Sequence, residues 1–480
     1  MSIERKGLTV TEWLVILVAA IGFLFDTYEL LMFPVIGADA LSELLRVPVE
    51  DAKVRLWAGR MLWIAALAGG IFGLLGGILI DKFGRKTVMI GSILLYSISP
   101  VAAAFSTELW QLVLFRSMTF VGVCVELVAA VTWLAELFQD KRKRKLAIGW
   151  TLACASLGGI FVTEVYNEIV TFLRDNPDGV SWLPVQAAAW RYTLLTGLIP
   201  GALILLLMPF VPESRVWKEK KLAGNLKRPK FGELFSPQLS RTTIVTTLLS
   251  ACGYAAAFGA LQLTPLQMAP GLPAIDQVKK DVGIAEAAKK LKSTAEGTPE
   301  RKAAAAELKA AQASVGQAIR EKRGNIQRWQ ELGGLTGRIL FAILLLYLTS
   351  GMLLRSFLIP GLFLFPITYW LLFNQDYTIF ATAIFFCGLV TVAQFSYVSE
   401  FLPKVFPVHL RGTGSAFATN VGGRMLGTMA ALLNTELISP LLGEGPASVA
   451  KAAAIIGGSV FAIALVLSFL LPKVNEEGDA

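Results

Sequence analysis

The sequence predicts an all-α membrane protein: twelve transmembrane helices in two six-helix halves, with an extracytoplasmic helical hairpin between helices 7 and 8. Of its 480 residues, 55% are hydrophobic and 16% are charged, whereas soluble domains carry about 25% charged residues. The apolar residues come in runs of about 20, the length at which a helix crosses the hydrocarbon core of a bilayer. Soluble enzymes, nucleic-acid-binding proteins and disulfide scaffolds are therefore excluded, and the lipid bilayer is the expected surrounding.

Sequence echoes between the two halves indicate an internal repeat. Gly158-Gly159 in the fifth apolar run and Gly422-Gly423 in the eleventh are separated by the same interval as two short motifs that close the fourth and tenth runs. Two related six-helix halves are typical of secondary transporters. The predicted division is a first half at 1–211, a cytoplasmic linker at 212–241 and a second half at 242–480, which contains an insert at 270–334.

The distribution of Lys and Arg predicts the orientation in the membrane. These residues concentrate in the N-terminus, the even-numbered connections and the C-terminus, with the densest run at Lys141–Lys145. By the positive-inside rule both termini are expected to be cytoplasmic. A cleaved signal peptide is not expected, because the first apolar run is too long and carries Asp26 and Glu29. The expected location is the plasma membrane, which is the inner membrane if the cell is Gram-negative.

The insert at 270–334 differs in composition from the rest of the chain. It is rich in Ala, Lys, Glu and Gln, and its apolar spacing predicts two amphipathic helices that break near Gly297-Thr298-Pro299. The eighth span is then expected at 335–354. The insert is interpreted as a solvated hairpin outside the membrane; docking of an unknown partner and a lid over the outer vestibule remain alternatives.

Neither a metal nor a cofactor is expected. The four cysteines all lie in apolar runs, where a thiol packs as a small hydrophobic group. The single histidine, His409, lies in a polar connection, so an intramembrane zinc site has no imidazole to use. The chain also lacks a P-loop for ATP, so it is predicted not to be an enzyme.

The clearest motif follows the second span and reads Gly77-Ile-Leu-Ile-Asp81-Lys82-Phe83-Gly84-Arg85-Lys86. It matches the G-x-x-x-D-K/R-x-G-R-K/R loop of the major facilitator superfamily, and the chain resembles that superfamily over essentially all twelve spans. The resemblance implies that the Asp and the basic residues form a cytoplasmic latch that breaks when the transporter changes state.

Further elements resemble the sugar porters of that superfamily. Glu136 before the basic run is similar to one signature, Glu400-Phe-Leu-Pro403 followed by Arg411-Gly412 is similar to its second copy, and Pro212-Glu213-Ser214-Arg215 is similar to a third. The resemblance implies charge-relay roles in the cytoplasm. The residues expected to form the latch are Gly77, Asp81, Gly84, Arg85, Lys86, Glu136, Glu400 and Arg411.

Charges inside the apolar runs are costly and indicate function. Asp26 in the first span and Arg116 in the fourth are expected at similar depths, at 1.5 Å rise per residue. Phe25-Asp26-Thr27 and Arg116 also match positions that proton-coupled sugar porters use. Asp26 is therefore predicted to carry a coupling proton with Arg116 as its partner; a static ion pair and an Asp26 that contacts substrate are the alternatives.

Other polar residues in the spans are candidates to line a central cavity. Arg424 follows Asn420-x-x-Gly423, a pattern seen in several organic-anion symporters, and an arginine there can hold a carboxylate in a bidentate manner. Pairing of Arg424 with Glu164 or Glu436 is the alternative. The cavity candidates are Glu29, Glu126, Glu164, Tyr254, Gln394, Tyr397, Asn420 and Arg424.

These features predict a secondary active transporter, favouring a proton-coupled symporter of a small polar organic solute, sugar-like or an organic acid. Departures from the sugar porters weaken a hexose assignment, because span seven has Gln262 without an adjacent Gln and span five has no Gln. An uncoupled facilitator or antiporter, and a non-transporting receptor that uses the outer hairpin, remain the alternatives.

Overall fold

The computed structural model describes residues 9–49, 51–137, 141–210, 213, 215–222, 231–296, 298–407 and 410–472. Within these ranges every regular element is helical, which confirms the all-α prediction. Ten helical stretches in the same ranges are long and apolar enough to cross a membrane. The predicted fifth and eighth spans are not among the ten.

The described residues of the first part of the chain form eight α-helices. They are α1 Val10–Leu45, α2 Ala52–Phe83, α3 Arg85–Ala104, α4 Leu109–Leu137, α5 Lys141–Asp175, α6 Ala189–Leu195, α7 Leu198–Leu207 and α8 Arg215–Leu222. The predicted sixth span is thus divided between α6 and α7. The predicted division of the chain at 212–241 stays a prediction, and residues 223–230 of that linker lie outside the described part.

In the second part, the residues that the structure describes form ten α-helices, several of them joined by π-helical stretches. They are α9 Ser240–Ala256, α10 Pro273–Asp281, α11 Ile284–Ser293, α12 Pro299–Leu344, α13 Ser350–Pro366, α14 Tyr377–Phe401, α15 Arg411–Phe417, α16 Met429–Leu432, α17 Ser439–Leu442 and α18 Pro446–Ser468. One π-helical stretch, Ala418–Gly427, joins α15 to α16 and carries the sequence-flagged residues Asn420 and Arg424. Such stretches are frequent at functional sites.

Local sequence signals explain where helices start. Thr9 caps α1: its hydroxyl accepts from the Glu12 amide at 3.2 Å, and the Glu12 carboxylate accepts from the Thr9 amide at 2.7 Å. This reciprocal pair is a capping box, which satisfies two backbone donors at the helix start. Thr298 caps α12 in a similar way, accepting from the Arg301 amide at 3.2 Å, with Pro299 in the first turn.

Helix α12 corrects the predicted bounds of the insert and of the eighth span. The break near Pro299 is present, but the helix then continues through 334 to Leu344, and the next helix begins at Ser350. The predicted eighth span at 335–354 is therefore wrong. Hydropathy placed this span too far along the chain, because the segment of α12 that packs against α14 and α5 is polar.

Glycines allow α12 to lie close against its neighbours. A Cβ atom at Gly333 would meet the Phe385 carbonyl oxygen of α14, and a Cβ atom at Gly334 would lie 2.8 Å from Val392. On another face, Gly324 lies against Asn167 of α5. Helix α12 is thus packed between α14 and α5, and it connects the first part of the chain to the second.

Two further contacts join the first and second parts of the chain where α1 ends and α2 begins. Gln267, after α9, donates to the Arg55 carbonyl oxygen at 2.9 Å, and Arg323 of α12 forms an ion pair with Asp39 of α1 at 3.0 Å. A cavity of about 800 Å³ opens beside Asp39 and Arg320 at the same end. Farther along, Trp63 of α2 donates to the Met425 carbonyl oxygen at 3.1 Å.

The packing of α12 predicts that a Gly→Ala substitution has opposite effects on stability at two of its glycines. Gly333→Ala is expected to lower stability by about 1–3 kcal/mol, because the added methyl group meets the α14 backbone. Gly316→Ala is the matched control: its Cβ atom would lie no closer than 3.5 Å to Arg320, so the better helix propensity of Ala is expected to raise stability by up to about 1 kcal/mol. Thermal unfolding in detergent measures both. Equal shifts in the unfolding midpoint would contradict the close packing of α12 on α14.

Candidate functional site

Two buried carboxyl groups meet between α1 and α4. Asp26 and Glu126 are both buried, and the Glu126 carboxyl is a charged neighbour of the Asp26 carboxyl. One carboxylate oxygen of Glu126 occupies the space at Gly22, where a Cβ atom would lie only 2.5 Å away. Because Gly22 and Asp26 are four residues apart on α1, they share one helix face. The glycine therefore makes room for the Glu126 carboxyl beside Asp26.

Arg424 lies next to this carboxyl pair. Its guanidinium is buried and donates to the side-chain oxygen of Asn420 at 2.7 Å. The Tyr254 phenol of α9 and the Asp26 carboxyl are further electrostatic neighbours of Arg424. Residues from the two parts of the chain thus come together around one guanidinium, with acids on one side and an amide and a phenol on the other.

Glycines of α2 open the space for the Arg424 turn. A Cβ atom at Gly73 would lie 2.5 Å from the Asn420 side-chain oxygen, and one at Gly70 would lie 3.4 Å from the Cβ atom of Arg424. The small residues of α2 therefore let the π-helical stretch approach the centre of the bundle.

The expected contact between Arg116 and Asp26 does not form. Its guanidinium donates to the backbone carbonyl oxygens of Glu29 at 2.7 Å and Leu30 at 2.8 Å, and it lies over the rings of Phe33 and Phe120. The expected pairing is therefore corrected: counting residues along two helices gives no information on the direction of their side chains around the helix axes. The proton-coupling roles of Asp26 and Arg116 stay predictions.

Glu29 points away from the Asp26 pair. Its carboxylate lies at Gly197, between α6 and α7, where a Cβ atom would be 2.7 Å away. Arg116 is its charged neighbour. The sequence-flagged acids of α1 thus occupy two separate surroundings, although they are only three residues apart.

Among the cavity candidates of the second part, Gln394 and Tyr397 have different surroundings. Gln394 is buried beside Gly253 of α9, and neither polar atom of its amide has a hydrogen-bond partner. Tyr254 packs its ring on Phe258 and Phe395. Tyr397 stacks on Phe401 with ring centroids 4.9 Å apart, and its hydroxyl is directed toward Ser350, away from the Arg424 cluster.

Glu164 pairs with Arg328 of α12, so the expected alternative of an Arg424–Glu164 pair does not form. Glu436, the other alternative, pairs with Arg60 of α2 at 2.6 Å. Sequence reasoning missed Arg328 because it assigned that segment to a solvated hairpin. The run of glycines at helical spacing in α12 was the signal for a packed helix. Tyr96 of α3, which borders Asp26 and Glu126, was also missed, because a tyrosine in an apolar run carries no distinguishing pattern.

The predicted latch is described in part. The carboxylate of Glu213 accepts from the backbone amides of Arg85 at 3.0 Å and Lys86 at 3.1 Å, so an acid of one flagged motif binds the N-terminus of α3 in another. Glu400 pairs with Lys404 at 2.5 Å. The side-chain surroundings of the remaining members lie outside the described part of the chain; these are Gly77, Asp81, Glu136 and Arg411.

No group of His, Cys, Asp and Glu residues that could hold a metal ion occurs in the described ranges. The residues of the Arg424 cluster offer charge and hydrogen bonding: two carboxyl groups that can hold protons, a guanidinium that can bind an anion, and polar groups that can orient it.

Two curated proteins that resemble this chain are both named as transporters. The sialic acid transporter NanX of Escherichia coli (strain K12) is 26% identical over 248 residues, 50% of this chain and 52% of the relative. The 4-hydroxybenzoate transporter PcaK of Pseudomonas putida is 30% identical over 181 residues, 36% of each chain. The chain thus matches about half, or less, of the length of these curated relatives.

A solved structure matches along nearly the whole chain. The crystal structure of a D-xylose-proton symporter superposes with a TM-score of 0.64 at 17% identity, covering 97% of this chain and 99% of that one. At this identity the likeness establishes the fold. The family model described as Major Facilitator Superfamily matches residues 13–285. This multi-pass membrane protein is therefore a member of the major facilitator superfamily.

Proposed function

We propose that the chain is a proton-coupled symporter of small organic acids that works by alternating access. The observation that carries this proposal is the position of Arg424, buried between the carboxyl pair of the first part and the Asn420 and Tyr254 side chains of the second. A site at the interface of two six-helix halves is accessible from either side in turn as the halves rock.

The charge balance of the cluster supplies the coupling. A guanidinium stays charged in the protein interior and requires an anion or strong acceptors nearby. Two carboxyl groups in contact repel each other when both are ionised, so the Asp26–Glu126 pair is suited to hold a proton. With one carboxylate ionised, the pair neutralises Arg424. A further proton removes that counter-charge and leaves the guanidinium to bind the carboxylate of a substrate.

This order of events gives symport. Proton binding precedes or accompanies binding of the acid. The proton and the acid anion then cross the membrane together, so that no uncompensated charge enters the apolar bundle. Deprotonation on the other side restores the Asp26–Arg424 attraction and favours release of the substrate. The names of the relatives, transporters for sialic acid and 4-hydroxybenzoate, support an acid as the solute.

The proposed membrane arrangement has twelve spans with both termini in the cytoplasm and, in a Gram-negative cell, an inner-membrane location. Helices α5 and α12 supply the two spans beyond the ten that length and composition identify. Polar residues in these helices are compatible with spanning because they face each other, as in the Glu164–Arg328 pair. Helices α10, α11 and the first part of α12 form the outer hairpin, which is linked by the Lys290–Glu307 ion pair.

A sugar is the second candidate solute, and Gln394 is the observation that favours it. Its buried amide has neither a donor nor an acceptor partner, and such groups suit sugar hydroxyls. Uncoupled or exchange transport of either solute is the alternative in which the Asp26–Glu126 pair is static.

Reconstitution into proteoliposomes tests the proposal. Pooled sugars, polyols, monocarboxylates and aromatic acids are added outside while the pH of the lumen is recorded. Acidification of the lumen by an acid pool is the expected result; a response to the sugars alone would move the solute assignment to Gln394. Uptake without proton movement would leave a facilitator and contradict symport.

Asp26→Asn is expected to abolish uphill accumulation of the acid while exchange of labelled for unlabelled solute continues. Asparagine keeps the size and polarity of the side chain but cannot carry a proton. Accumulation under an imposed pH gradient and exchange without one are measured in the same proteoliposomes. Asp276→Asn, in an exposed ion pair on α10, is the control and should keep both activities. Uphill accumulation that persists in Asp26→Asn excludes Asp26 as the coupling group.

Arg424→Lys is expected to weaken binding of an acid about 10- to 100-fold, because a charged hydrogen-bonding fork is replaced by a single ammonium. Titration of the purified protein with the identified acid measures the dissociation constant. Arg301→Lys, at a partly exposed site on α12, is the control and should bind as the unmodified chain does. Unchanged affinity in Arg424→Lys would remove the anion-binding role.

A further inference from the structure

A stripe of buried polar side chains follows one face of α12. Arg323, Gln327, Gln330 and Glu331 are spaced by four, three and one residues, which places them on one side of the helix. All four are buried, with exposed fractions between 0% and 9%. Buried polar groups on a spanning helix are costly unless they are hydrogen-bonded or functional.

The stripe lies at the contact between the two parts of the chain. At one end Arg323 donates to the Val35 carbonyl oxygen of α1 at 3.1 Å and to the Pro265 carbonyl oxygen, after α9, at 3.1 Å. Farther along α12, the Glu331 carboxyl lies against Gly159 of α5, where an added Cβ atom would also lie 2.7 Å from Leu31 of α1.

The same contacts set the level of the stripe in the bundle. Gly158, next to the glycine that Glu331 touches, lies against the α1 backbone between Leu24 and Tyr28. Asp26 is in that turn. The Glu331 end of the stripe therefore lies between one and two helical turns along α1 from Asp26. At the other end, Asp39, the ion-pair partner of Arg323, lines the cavity of about 800 Å³.

The stripe contains two hydrogen-bond acceptors that have no partner. The Gln327 and Gln330 amides both donate to one oxygen of Glu331, at 2.7 Å and 3.2 Å. This arrangement uses one N–H of each glutamine amide and leaves their two carbonyl oxygens buried without a partner. Unsatisfied buried acceptors destabilise a fold, so the pair requires donors from elsewhere. A solute with hydroxyl groups supplies them.

The charges near the stripe already have partners of opposite sign. Arg338, two turns farther along α12, is a charged neighbour of Glu331, and Arg328, one turn before it, pairs with Glu164 of α5. Neutral hydroxyl groups donate hydrogen bonds without adding a charge that would need a partner of its own.

We propose that Gln327, Gln330 and Glu331 bind the hydroxyl groups of a solute whose carboxylate is held by Arg424, so that the substrate class is hydroxylated carboxylic acids. This inference rests on the proposed function, because it requires an acid at Arg424. It adds α12 to the substrate site and assigns the selection between hydroxylated acids and their deoxy counterparts to that helix.

Matched pairs of acids test the assignment by calorimetric titration of the purified protein. Gluconate and hexanoate have the same charge and carbon number but differ in hydroxyl groups, and 4-hydroxybenzoate and benzoate form an aromatic pair. The unmodified chain is expected to bind the hydroxylated member of at least one pair about tenfold or more tightly. Glu331→Gln and Gln327→Leu are each expected to lower this ratio at least about threefold while the affinity for the deoxy acid is unchanged.

Glu307→Gln is the matched control, since it makes the same change at an exposed site of the same helix and should keep the full ratio. An unchanged ratio in both stripe variants overturns the inference, as does an equal loss for both members of a pair. If Glu331→Gln fails to fold, the ratio in Gln327→Leu decides.

Arg424→Gln separates failure of the inference from failure of the proposed function. If it abolishes binding of both acids while the stripe variants keep the ratio, the acid site stands and the hydroxyl assignment is wrong. If no acid of either kind binds to the unmodified chain, both proposals are overturned.

Discussion

Charge that is buried in an apolar bundle has to be neutralised or hydrogen-bonded on the spot, and this constraint organises the interior of the molecule. Three buried arginines meet it in different ways. Arg116 donates to two carbonyl oxygens of α1, Arg323 combines an ion pair with carbonyl oxygens, and Arg424 relies on an amide, a phenol and a nearby carboxyl pair. The first two are fixed by the backbone that they bind. Arg424 is held by side chains: it donates to Asn420 and has Tyr254 and Asp26 as neighbours.

Several polar contacts within and between the two parts of the chain follow from small residues at helix crossings. Gly73 admits Asn420, Gly22 admits Glu126, and Gly159 admits Glu331. In each case a polar side chain of one helix occupies the space that a missing Cβ atom leaves on another. Small residues are the usual means by which helices in membranes approach closely, because burial of apolar surface gives no advantage over contact with lipid tails. Here they also bring polar groups to the axis of the bundle.

Much of the fold could be predicted from the sequence, because long apolar runs and the Gly77–Lys86 motif are direct signals of spanning helices and of the superfamily. Asp26, Glu126 and Arg424, from spans one, four and eleven, lie near one another, whereas Arg116 and Glu29 have separate surroundings. Counting residues gives the depth of a side chain, whereas its direction around the helix depends on how neighbouring helices pack.

The failure at α12 has a related cause. Hydropathy reports how well a segment suits lipid, and Arg323, Gln327 and Glu331 suit it poorly. They are nevertheless buried, because protein surrounds them on several sides. A polar spanning helix and a solvated hairpin therefore share one composition, and only the glycine spacing distinguishes them.

The continuity of α12 also has a mechanical meaning. Its 46 residues form one uninterrupted helix, roughly 70 Å long at 1.5 Å per residue, which exceeds the thickness of a bilayer core about twofold. Such a helix is a stiff lever. The segment that packs with α11 at one end and the segment that carries Glu331 cannot rotate independently, so a tilt of the bundle swings the distal tip through a larger arc.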